Sequence, residues 1–367
     1  MLKYCYENGC PTSSVMCERA AEEGHLHILK YLHEDALVEW EGKSKSGSVA
    51  VAAARKGHLH ILKYLAEKNY DITKPKACEE AAKNGRLECL KHLREVNNAP
   101  WDQSVGEHAA EKAHLHILKY LSEARYPYFK ASACARAAEN GHLECLKYLH
   151  EVLKLPWDHD TCKSAASKGW IHVLKYLWEH KYSDWSGWDP ERGALTYAAG
   201  RGEVDAVRFL REIVEVPWTK NAGVWAVGGR HHHVIEYLHE KKYPHFCAEM
   251  CAEAANNDDL KGLKYLREVV KVPWDEETGN NATCGYNNKN HVFKYLVECK
   301  FPHFTSKACL GACEYGNIEA LRCLLETLKV PIHRECVARA RRGGYESYEC
   351  YNYLIRNGYE EYVDLWN

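Results

Sequence analysis

The chain has 367 residues, 46% of them hydrophobic, with 49 basic against 51 acidic side chains and a formal net charge of −2. That balance leaves no global field to draw in nucleic acid or an anionic membrane, and no apolar run of membrane-spanning length or secretory signal is present. The 17 cysteines include no Cys-x-x-Cys pair and no zinc-site spacing, so they read as free thiols in a reducing, intracellular and cytoplasmic compartment.

In chain order, Leu2-Lys3-Tyr4 repeats Leu29-Lys30-Tyr31, so residues 1–11 read as half a repeat with an open N-terminal end. The phrase Gly24-His25-Leu26-His27-Ile28-Leu29-Lys30-Tyr31-Leu32 then returns from Gly57, Gly85, Ala113, Gly141, Gly169 and Gly202, and more weakly from Arg230, Asp258, Asn288 and Gly316. A fixed internal period means stacked supersecondary units, each too small to bury its own apolar face. The reading is one array over 1–367, with about twelve repeats in 12–358 and a short tail in 359–367.

The stretch from Phe129 to Pro156 serves as a template. A first helix is predicted over Ala131 to Glu139, with Cys134, Ala137 and Ala138 on its inner stripe. Gly141 ends it in a left-handed turn. A second helix follows from His142 to about Val152 and buries Leu143, Cys145, Leu146, Tyr148 and Leu149. The connectors read Pro-Trp-Asp (Pro100 to Asp102, Pro156 to Asp158, Pro273 to Asp275) or Tyr-Pro-x-Phe (Tyr126 to Phe129, Tyr243 to Phe246), and alternate along the chain. Their aromatic rings are expected to plug the space between units.

The pattern Cys-x-x-Ala-Ala-x-x-Gly-His-Leu, carried by Cys134, Ala137, Ala138, Gly141, His142 and Leu143, resembles the ankyrin repeat. The spacing departs from it: 28 residues separate Gly57 from Gly85 and Gly85 from Ala113, against 33 in the ordinary repeat. The missing residues fall where ankyrins place their β-hairpin. Repeats with the Pro-Trp-Asp connector are similar to those of giant viruses and some protists, which implies a host cytoplasm for a viral source. The resemblance implies an all-α solenoid of stacked two-helix ankyrin-like repeats with short aromatic connectors and little or no β-hairpin. It also implies a non-enzymatic scaffold or adaptor that binds a protein partner along its concave face, with no cofactor.

The resemblance implies that the two residues before each repeat glycine lie at the edge of the concave surface, and they vary freely where the core positions repeat; the candidate partner residues are Glu22, Glu23, Arg55, Lys56, Lys83, Asn84, Glu139, Asn140, Lys168, Arg201, Tyr286 and Tyr315. Variation there fits either a surface read by a partner or drift at solvent positions. Trp185 and Trp188, in a longer connector, stand either as displaced plugs or as exposed anchors. A structural alternative is self-association through uncapped ends, the open N-terminal one above all.

Two charged rows complete the pattern. The third residue after the repeat glycine runs His60, Glu88, His116, Glu144, His172, Asp205, His233, Lys261, His291, Glu319. It reads either as an inter-repeat His–Glu ladder or as two sets of solvated residues. Lys30, Lys63, Lys91, Lys119, Lys147, Lys175, Lys264 and Lys294 each have a glutamate four residues on, and read as self-neutralised i,i+4 pairs. His231-His232-His233 points in three directions on a helix and reads as a degenerate helix start, not a metal site. No Walker loop, nucleophile elbow or zincin motif occurs, so no catalytic or metal residue is assigned.

Overall fold

The computed structural model describes residues 14–34, 49–70, 72–187, 189–284, 290–343 and 347–359. They fall into two compact units, 1–184 and 185–367. Unit 1 comprises α1 (Ser14–Glu22), α2 (Leu26–Glu34), α3 (Val49–Lys56), α4 (Leu59–Glu67), α5 (Pro75–Lys83), α6 (Leu87–Lys91), α7 (Gln103–Glu111), α8 (Leu115–Glu123), α9 (Ala131–Glu139), α10 (Leu143–Lys147), α11 (His159–Ser167) and α12 (Ile171–Glu179). Unit 2 comprises α13 (Ala194–Arg201), α14 (Val204–Glu212), α15 (Lys220–Gly228), α16 (His232–Glu240), α17 (Ala248–Asn256), α18 (Leu260–Lys264), α19 (Glu276–Asn281), α20 (His291–Glu298), α21 (Ser306–Glu314), α22 (Ile318–Arg322), α23 (Cys336–Arg342) and α24 (Tyr348–Arg356). No strand occurs among the described residues.

Odd-numbered helices are the first of each pair and even-numbered ones the second. Within each unit the first helices pack successively, α1 on α3 on to α11 and α13 on α15 on to α23. The alanine pairs make this possible: Ala81, Ala82, Ala109, Ala110, Ala137, Ala138, Ala198 and Ala199 are fully buried. Second helices contribute the larger core residues, such as Leu90, Leu118, Leu146 and Leu174, each worth about 2 kcal/mol in area removed from water. Gly141 turns the chain at φ +75°, and a Cβ there would lie 2.8 Å from the Trp170 ring. Ala113, Arg230 and Asp258 hold the same turn at φ of 62°, 58° and 51°, a strain of about 1 kcal/mol each.

The alternating connectors have a backbone cause. Pro100 follows Gly85 by 15 residues, whereas Pro127 follows Ala113 by 14. The extra residue is absorbed as a π turn that continues α6 (His92–Val96), α10 (Tyr148–Val152), α18 (Tyr265–Val270) and α22 (Cys323–Thr327). In the Gly202 repeat it becomes a single wide bond, Val214 N–H to Phe209 O at 3.2 Å.

The connector aromatics do fill the space between neighbouring pairs. Trp101 meets Tyr126 edge-on at 5.4 Å, Trp218 meets Tyr243 at 5.4 Å and Trp274 meets Phe301 at 5.2 Å. Each indole also carries a guanidinium from the preceding π or wide turn: Arg94 at 4.5 Å, Arg211 at 4.7 Å and Arg267 at 4.3 Å. The aspartate of the motif caps the next first helix, Asp102 accepting from Ser104 N at 3.0 Å and Asp158 from Thr161 N at 3.1 Å.

Both charged rows differ from expectation. His60, His116, His172 and His233 donate through Nε2 to the carbonyl of the preceding repeat's glycine: Gly24 at 3.1 Å, Gly85 at 3.2 Å, Gly141 at 2.9 Å and Gly202 at 2.7 Å. These four are neither carboxylate-paired nor merely solvated; His291, the last histidine of the row, is carboxylate-paired, its Nδ1 2.7 Å from Asp258 of the preceding repeat. The glutamates between them turn to their own helix, Glu88 to Lys91 at 3.4 Å and Glu144 to Lys147 at 3.0 Å. A second set of rings does the same work one turn away, His58 on Glu22 O (2.9 Å), His114 on Lys83 O (3.1 Å) and His142 on Glu111 O (2.9 Å). A helix C-terminus leaves its last carbonyls without intrahelical donors; here the next repeat supplies them.

Instead of closing i,i+4 pairs, Glu34, Glu151 and Glu268 accept from the tyrosine of the next repeat, Tyr64 at 3.2 Å, Tyr176 at 2.9 Å and Tyr295 at 3.0 Å. Lys30 and Lys264 sit over Tyr64 and Tyr295 at 5.5 and 5.1 Å. Burial and then Glu34 push the Tyr64 hydroxyl up to about 12. The fifteen described cysteines are unpaired and mostly buried; burial pushes the Cys78, Cys134 and Cys251 thiols up to about 12, so they pack as inert small hydrophobes.

Candidate functional site

The first helices present a regular row of side chains, at two and five residues before each repeat glycine. In unit 1 this row is paired with itself. Arg19 meets Glu22 at 3.1 Å and Arg136 meets Glu139 at 3.3 Å within their own helices. Arg55 reaches forward to Glu80 on the next first helix, Nε to Oε2 at 3.0 Å. Glu80 is 7% exposed and also takes a bond from Asn84 Nδ2, at 3.4 Å to Oε2. Burial pushes the Glu80 carboxyl up, but Arg55, Lys76 and Lys83 outweigh it and hold it below its ordinary value. In unit 2 the same register pairs Glu314 with Arg339 at 3.2 Å.

Two consecutive repeats break the row. Gly200 and Gly228 stand two residues before Gly202 and Arg230, where other repeats carry a side chain. Tyr197 and Trp225 stand at the earlier position of the same helices. The result is a cavity of about 450 Å³ lined by Tyr197, Gly200, Arg201, Trp225, Gly228 and Glu253, all on the first helices α13, α15 and α17. Trp225 lies against Gly200, where an added Cβ would meet its side chain at 3.0 Å. Tyr197 meets the Trp225 ring edge-on at 5.2 Å and 79°. Glu253 closes the far side: it accepts from Asn257 Nδ2 at 3.0 Å, and an added Cβ on Gly228 would sit 3.2 Å from its Oε1. Such a site offers an aromatic platform with a carboxylate on one flank and the exposed Arg201 on the other.

Of the candidates read from the sequence that lie among the described residues, only Arg201 lines this cavity. Glu22 and Arg55 are committed to ion pairs, with Lys56 3.8 Å from Glu22. Asn84 and Asn140 close their own helix ends on Glu80 O and Arg136 O at 2.8 and 3.0 Å. Glu23 and Lys168 are exposed; Lys83, Glu139 and Tyr315 are half-buried. Trp185 is 6% exposed, so it is no exposed anchor. Trp188, Tyr286, the connector 35–48 and the residues 1–13 and 360–367 lie outside the described residues. The three consecutive histidines diverge as expected, His231 to Gly200 O, His232 to Asp259 at 2.8 Å and His233 to Gly202 O. Trp225 and Glu253 escaped the sequence reading, although a glycine at one position and an aromatic at the other in two successive repeats marked them.

Stacked helix pairs with a self-paired first-helix row define a helical repeat protein. Residues 17–104, spanning three helix pairs of unit 1, match the family model described as ankyrin repeats, 3 copies. Ankyrin repeats generally mediate protein binding. No curated protein matches the chain. No described helix is long and apolar enough to cross a membrane.

Proposed function

We propose that the chain is a non-enzymatic scaffold or adaptor, and that it holds a protein partner on its first-helix face at the Tyr197–Trp225 cavity. The observation that carries this reading is the break in the row. Elsewhere that register carries a side chain, ion-paired at Glu22, Arg55, Glu139 and Glu314, and glycine takes the place at Gly200 and Gly228, where Tyr197 and Trp225 hold the earlier position. An indole in a hollow with polar flanks is the usual anchor chemistry of an interface.

Photo-reactive residues placed singly at Arg201 and at Asp205 test this in the native cell extract. Asp205 lies on the second helix α14 and is exposed. A partner adduct is expected from position 201 and not from 205. An adduct from 205 alone would place the binding face on the second helices and contradict the reading.

A further inference from the structure

The cavity in unit 2 has a filled counterpart in unit 1, and that counterpart names its ligand. Glu80 stands five residues before Gly85, takes a hydrogen bond from Asn84 and receives the guanidinium of Arg55 from the preceding first helix. Glu253 stands five residues before Asp258 and takes the corresponding bond from Asn257. Where Arg55 stands in the first case, Gly228 stands in the second. The acceptor is retained and its internal donor is deleted.

Trp225 supplies the other half of a guanidinium site. Elsewhere among the described residues guanidinium groups stack on indoles, Arg94 on Trp101, Arg211 on Trp218 and Arg267 on Trp274, at 4.3 to 4.7 Å. Those rings are taken up by connector packing. Trp225 lines the cavity instead. A planar cation there would stack on the ring and present its fork of N–H donors to a carboxylate, a geometry an ammonium group does not match.

We propose that the Trp225–Glu253 cavity takes an arginine side chain of the partner, its guanidinium occupying on Glu253 the place that Arg55 occupies on Glu80. The proposal rests on the binding reading above and adds the chemistry of the anchor. Arg201 lines the cavity from α13, with α15 packed between that helix and the helix of Glu253. The site therefore favours an arginine with an acidic neighbour over a uniformly basic segment.

The test uses the full chain with isotope-labelled tryptophan, the Trp225 indole N–H signal being assigned with Trp225→Phe. The probes are acetyl-Ala-Ala-Arg-Ala-Ala-amide and its counterparts carrying lysine or the neutral isostere citrulline. A single anchored side chain binds weakly, so titration extends to about 20 mM, beyond the millimolar range of such contacts. The arginine peptide is expected to shift the Trp225 signal, with binding at least tenfold weaker for citrulline, for lysine, and for the arginine peptide on Glu253→Gln. Equal shifts from arginine and citrulline, binding unaffected by Glu253→Gln, or no shift at all would overturn the proposal. If these fail while the adduct from position 201 forms, the arginine assignment falls and the binding reading stands. If the adduct is also absent, both fall.

Discussion

Arg55–Glu80 in unit 1 and Gly228–Glu253 in unit 2 occupy the same register, yet one is closed and the other hollow. The first brings a cation from one helix to a buried carboxylate on the next and uses it for the stack. The second keeps the carboxylate and its asparagine but removes the cation. A repeat array opens a cavity at little cost to its core by deleting one side chain from a self-complementary row. Variation at such a position is then informative only when its partner on the neighbouring helix is known.

The contrast holds only if the surrounding lattice is common to both units, and the connector tryptophans test that most strongly. Trp101→Ala removes a ring that is 7% exposed, packed on Arg94 and Tyr126; a loss of about 3–4 kcal/mol is expected in urea unfolding. Trp274→Ala, at a half-buried ring packed on Arg267 and Phe301, should cost less, about 2 kcal/mol. A negligible effect in both would mean the connectors do not join the pairs.

Next in size is the closed pair itself. Arg55→Ala leaves Glu80 buried without its guanidinium, and with the exposed part of Arg55 screened the loss should be about 1–2 kcal/mol near neutral pH. Because the folded Glu80 pKa lies below its ordinary 4.5, the pair's contribution is complete above that pH and fades as pH falls through the lowered value. Wild type and Arg55→Ala should therefore converge in urea midpoint at strongly acid pH. A constant gap would assign the effect to packing instead.

The smallest effect concerns the histidine contacts. Burial above all, then the nearby His116, Arg86 and His142 charges, hold His114 below its ordinary 6.5, against the opposing pull of the Lys83 carbonyl. A lowered folded pKa means that stability is whole above pH 6.5 and is lost as the pH falls toward the folded value. His114→Gln keeps a donor for the carbonyl and should remove part of the fall in midpoint between pH 7.5 and 5.5. An unchanged fall would show that His114 does not titrate between folded and unfolded states.

Much of the fold was legible because the apolar positions recur at helical spacing and admit one arrangement. Ala137, Ala138 and Cys134 fell on the buried stripe, and α9 spans the predicted Ala131–Glu139. The lattice between repeats was not legible, since His60 and Glu34 sit at polar positions whose partners are about thirty residues away. Spacing within one helix favoured the local Lys–Glu reading, and only the stack brings Tyr64 to Glu34. The site escaped for a related reason: it is made by side chains that are missing, Gly200 and Gly228, and a glycine just before a helix-ending glycine reads as more of the turn.

The most direct test rebuilds the closed pair in the open site. Gly228→Arg returns a guanidinium to Glu253 and replaces a glycine at a helix end, so stability should rise by about 0.5–1 kcal/mol. Partner binding, read by the yield of the position-201 adduct, should fall at least tenfold in the same protein. A stabilised protein that still binds its partner at wild-type strength would contradict the account.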